Sequence, residues 1–131
     1  MQQWDPLSRE WCWMAILPGP VKVDLIFADE LHRPQAPWQP GADNLGAIDG
    51  HFWDWMLWLR GKERRGRDSQ VEDELRKLFE HILEPLGAEA VPESVGEAVV
   101  SYRQLRGQAE QRHGQTVSRA LERAVAPALR A

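Results

Sequence analysis

A single cysteine, Cys12, excludes an internal disulfide, and the four scattered histidines (His32, His51, His81 and His113) complete no pattern of thiols and imidazoles that would hold a structural zinc. No apolar run approaches the roughly 18–20 residues of a membrane-spanning helix. Asp5, Arg9 and Glu10 break the plan of a signal peptide, so a cytoplasmic protein with a reduced thiol and no membrane partner is expected. Positive charge is also short: 16 Lys and Arg stand against 20 Asp and Glu, a formal net charge of −4. That balance argues against nucleic-acid binding by broad phosphate neutralisation. No repeat of fixed period is present.

What the chain does have is tryptophan. Seven of its 11 aromatic residues are Trp, and such side chains need a deep core or a flat ligand to cover. Charge is divided unevenly: residues 1–60 carry eight acids and four bases, whereas residues 61–131 carry twelve of each. A partner drawn electrostatically to the first half is therefore expected to be cationic.

The pattern predicts an α+β fold of two parts, residues 1–43 and 44–131. In the first, "WCWMAIL" and "VKVDLIF" flank the turn residues "PGP", which makes a β-hairpin the economical reading. Val21, Val23, Leu25 and Phe27 alternate with Lys22, Asp24 and Ile26, so the odd positions are expected to face a core and Asp24 the less apolar side. A proline-rich arm spans 28–43. In the second part the period changes to that of helices, predicting a four-helix antiparallel bundle joined by short loops. The first helix, 48–62, has apolar residues on two sides and is expected to be central. Ser69/Glu72 and Ser94/Glu97 have the form of capping boxes opening the next two, and the last runs roughly from 115 to 126.

The run "LPGPVKVDLIFADE", followed by "IDGHFWDWMLWLRGKERRG" and "LRKLFEHILEPLG", resembles the second half of a nucleotidyltransferase of the aminoglycoside-adenylyltransferase kind, over about residues 11–113. The resemblance implies that the hairpin is the remnant of a mixed sheet bearing three carboxylates, with Asp24 the third: a magnesium ligand and the group that takes the acceptor's proton. It implies ATP and Mg2+ as the cofactors of complete relatives, and a small hydroxylated amine as the acceptor. Hard divalent cations prefer carboxylate oxygens, and a nearby carboxylate can remove the attacking hydroxyl's proton. The family's Asp-x-Asp pair and its Gly-Ser turn are both missing from the chain. The chain thus reads as the latter portion of such an enzyme, expected to be inactive alone.

Further candidates lie on the 48–62 helix. Trp55 and Trp58 would cover a nucleobase or sugar ring, or else belong to the core, while Lys62 would reach a phosphate or simply extend to water. Asp49 and Asp54 lie on opposite flanks of this helix and form no single metal site; either would bind an amine of a cationic acceptor, and Asp49, near the helix start, would alternatively complement the helix dipole. The run Arg60, Lys62, Arg64, Arg65 and Arg67 meets a triphosphate or forms a solvated turn. From a different class, the chain reads as a helical interaction module that forms a homodimer, or joins another subunit, through the hairpin edge or the tryptophan surface.

Overall fold

The computed structural model describes residues 2–3, 10–31 and 39–130. Its order is β1 (Gln2–Gln3), β2 (Glu10–Leu17), β3 (Val21–Leu31), α1 (Leu45–Arg64), α2 (Asp68–Leu78), a π-helical turn (Phe79–Leu83), α3 (Glu84–Leu86), α4 (Val95–His113) and α5 (Ala120–Arg130). The α+β class and the hairpin about Pro18–Pro20 are as expected. A third short strand joins them, giving an antiparallel sheet in the order β1-β2-β3. β3 continues to Leu31, further than anticipated and into the expected proline-rich arm, of which residues 32–38 lie outside the described residues.

Helix α1 is the hub of the helical part. Phe52, Trp53, Met56 and Leu59 are fully buried, so both of its sides are covered as its double apolar stripe demands. Asn44 precedes it, but its side chain does not cap the helix; it accepts from Gly41 N (2.8 Å) and donates to the Gln39 carbonyl (2.8 Å), pinning the arriving chain. Phe52 stacks on Tyr102 of α4 with ring centroids 3.8 Å apart, and Trp53 meets the same ring edge-on. Leu75, Leu78, Ile82 and Leu83 close the core from α2 and the π turn.

The helices do not alternate strictly in direction. Helix α2 runs against α1, and so does α4, whose first turn lies beside Arg60 and whose Arg106 reaches Asp49. Residues 87–94 therefore carry the chain back before α4 begins. Helix α5 opposes α4, with Arg103 paired to Glu122 and Glu110 to Arg119, and so runs in the same sense as α1. This corrects the fully antiparallel bundle of the sequence reading: an eight-residue link is long enough to return along the helix it leaves.

Helix ends differ from expectation at two places. The Ser94 cap forms: its Oγ accepts from Glu97 N (3.1 Å), while Glu97 Oε2 accepts from Glu93 N (2.9 Å). The Ser69 box does not, because α2 already begins at Asp68, with Arg67 at its cap position and no side-chain bond there. Helix α5 starts at Ala120 and passes through Pro127 to Arg130; Leu129 packs against the core, and Arg64 Nη2 donates to the Ala128 carbonyl (2.7 Å), which retains the last turn. The π turn was not anticipated. Pro85 lacks an N–H for the His81 carbonyl and its ring crowds that carbonyl, so the backbone widens over Phe79–Leu83.

The face of the sheet turned to the helices is the largest correction. Lys22 is half-buried at α1, whereas Val21 (52 %), Leu25 (52 %) and Phe27 (43 %) are exposed. Alternation marks a strand but does not say which side is covered, and here the polar side of β3 meets the helix.

Candidate functional site

That reversal creates the site. Lys22 and Asp24 of β3 stand opposite His51, Asp54, Trp55 and Trp58 of α1, and Glu74 of α2 closes the end of an open hollow of about 290 Å3. Successive even positions of β3 share one face, and residues 51, 54, 55 and 58 share one side of a helix, so two regular elements supply six of the seven lining residues.

Lys22 bridges the two elements. Its Nζ bonds both Asp24 oxygens and lies 3.6 Å from Asp54 Oδ1. Asp54 is almost entirely buried, and its Oδ1 accepts no hydrogen bond among the described residues. Desolvation by burial raises its pKa to about 6; Lys22 opposes the shift and Asp24 adds to it. Asp54 is thus a carboxylate that gains from a further donor. Trp55 Nε1 donates to Glu74 Oε2 (3.0 Å), which sets the indole along the wall. The ring meets His51 edge-on at 5.4 Å and lies nearly parallel to His81, 6.4 Å away, which the π turn presents to it. Trp58 is more exposed, and Lys62 lies over its ring at 4.8 Å.

The residues singled out from sequence are distributed as follows. Asp24 and Trp55 line one hollow. Lys62 stands beside it, held over Trp58. Asp49 does not join them: it is buried on the other flank of α1, where Oδ1 accepts from Tyr102 Oη (2.7 Å), Arg106 Nη1 (2.9 Å) and Trp53 Nε1 (3.2 Å). The cation expected at Asp49 is supplied from inside the chain. Burial lowers the Arg106 pKa, but the bonds and charges of Asp49 and Glu122 outweigh it and leave it raised. Burial, and then the Asp49 charge and hydrogen bond, push the Tyr102 hydroxyl far upward, so it remains a donor.

Lys22 and Glu74 are not singled out by the sequence, whereas Asp54, one of the two helix acids expected to bind an amine, lines the hollow: it precedes Trp55 and lies three residues after His51, on the same side of α1. A magnesium site at Asp24 does not fit the described residues. No three His, Cys, Asp or Glu groups among them come together as a cation cage, and the Lys22 ammonium takes up the carboxylate oxygens of Asp24. What the hollow offers chemically is three carboxylates, Asp24, Asp54 and Glu74, with Asp54 short of donors, and the Lys22 ammonium, beside two indole faces. Such a lining suits an ammonium group on a ring or short chain. No family model, curated protein or solved structure matches the chain.

Proposed function

We propose that the hollow is the acceptor-binding part of a nucleotidyltransferase-like protein and takes a small hydroxylated amine. The observation that carries this reading is the convergence of Asp24, Asp54 and Trp55 across the sheet–helix junction, with Asp54 Oδ1 buried and without a hydrogen bond. An ammonium of the ligand would donate to Asp54, an indole would cover its ring, and Asp24 would accept a hydrogen bond from a hydroxyl. ATP and magnesium belong to the reading only through carboxylates beyond Asp24; the described residues do not hold them, and the reading concerns acceptor binding alone.

Calorimetric titration with kanamycin, a hydroxylated polyamine, tests it. Loss of one charge-assisted bond is expected to weaken binding by about tenfold or more in Asp54→Asn. Equal affinity in Asp54→Asn and Asp24→Asn, or no binding to the unaltered protein, would refute the proposal. Binding is also expected to weaken as pH falls through about 6, where Asp54 takes up a proton.

A second reading rests on a separate observation. Leu17, Val21, Leu25, Ile26 and Phe27 are all exposed large apolar residues, and β3 has no strand on its outer side among the described residues. An edge of this kind invites pairing with another chain, which favours self-association through the sheet. Sedimentation of Leu25→Lys against the unaltered protein separates the two: a dimer that dissociates in the variant supports association, and a monomer at every concentration removes it.

A further inference from the structure

At the end of α1 far from Asp49, a cavity of about 340 Å3 lies between α1, α4 and α5. Its size falls in the range of small-ligand sites, roughly 300–1,000 Å3. Val95 and Val99 of α4 and Leu129 of α5 form an apolar floor, and Val100, 66 % exposed, continues it outward at the mouth. Three guanidiniums stand around it, Arg60, Arg103 and Arg130, and no carboxylate lines it.

Arg60 Nη1 donates to Glu63 (2.7 Å) and Arg103 Nε to Glu122 (2.5 Å), while neighbouring Arg106 is shared between Glu122 and Asp49. Of the three guanidiniums that line the cavity, Arg60 and Arg103 each have a carboxylate partner and Arg130 has none among the described residues. The buried Arg60 Nε also has no acceptor among the described residues. Glu97, close by in sequence, is turned to the Glu93 N–H. Planar guanidiniums favour carboxylate and phosphate oxygens, which they bind in pairs of hydrogen bonds.

We propose that this cavity binds an amphiphile with a single anionic head, the head held by Arg130 with Arg60 and Arg103, and the apolar body laid on Val95, Val99 and Leu129. A fatty carboxylate and an alkyl phosphate share this chemistry. The site is separate from the acidic hollow, whose lining has no residue in common with it.

The test is methyl-detected NMR of the whole chain titrated with octanoate, monooctyl phosphate and octylammonium, each below its micelle concentration. The two anions should shift the methyls of Val95, Val99 and Leu129, and whichever binds more tightly identifies the natural head. Octylammonium should leave those methyls in place. Arg130→Gln, at an exposed position in the last turn of α5, is expected to weaken anion binding by about tenfold without unfolding the chain. Filling the floor with Val99→Phe serves as a second variant and should weaken both anions. Equal shifts from octylammonium, shifts confined to Leu25 and neighbouring sheet residues, or unchanged affinity in both variants would overturn the proposal, and the arginines would then merely offset helix dipoles.

Discussion

The helices and the sheet solve the same problem to different extents. In the helical part the apolar stripes of α1, α2, α4 and α5 close on one another, and Trp53, Tyr102 and Phe52 lie in a core with almost no exposed surface. The sheet meets the helices through Lys22, with Ile16 of the paired strand packed against the core, while Val21, Leu25 and Phe27 on the other side of β3 are exposed. The contrast teaches that stability and chemistry are lodged in different places. The helices hold α1 rigid, and the sheet then sets Lys22 and Asp24 against it. A scaffold that fixes one wall of a cleft while the other wall rests on a partly covered element is suited to binding.

Core truncation breaks the comparison most sharply. Leu78→Ala should lose about 3–5 kcal/mol in denaturant unfolding, whereas Leu25→Ala on the bare face should lose about 0.5 kcal/mol or less. Comparable losses would mean that the sheet face is covered in solution. Next comes the buried ion pair: Asp49→Ala strands Arg106 beside Tyr102 and should destabilise by about 3 kcal/mol, whereas Asp24→Ala, at a half-exposed pair, should change stability by less than about 1 kcal/mol.

A third effect concerns pH. Asp54 has a folded pKa raised from 3.8 to about 6, so between these values the folded state holds a proton that the unfolded state has released. Stability from this group is therefore greatest below about pH 4 and is lost as pH rises through 6, by an amount on the order of 3 kcal/mol. Glu110 and Glu122 act in the opposite sense. Burial raises their pKa values, but hydrogen bonds outweigh it, from Arg119 and the Val117 N–H for Glu110 and from Arg106 and Arg103 for Glu122, and both end up lowered. The informative quantity is thus the difference between the unaltered protein and Asp54→Asn, which should change across pH 4–6 and stay flat above pH 7.

Much of this was readable from residue order. The two-residue period of 21–27 announced a strand, and the double stripe of α1 announced a central helix. Which face of the strand is covered was not readable, because alternation is symmetric until something packs against one side. Asp49 was likewise opaque: its partner Arg106 is 57 residues away, and only the fold brings them together. One signal pointed there, since Arg106 follows Val99 and Tyr102 at helical spacing and so lies on the buried side of α4. The arginine-lined cavity draws on three helices, and no local pattern encodes a site assembled in that way.

In the proposed function Asp54, buried and short of a donor, receives an ammonium group in the hollow. Carbon-13 NMR of its side-chain carboxyl, titrated with pH in the absence and presence of saturating kanamycin, tests this most directly. A pKa near 6 that falls when the amine is bound is the predicted result; a titration unmoved by the amine would contradict it.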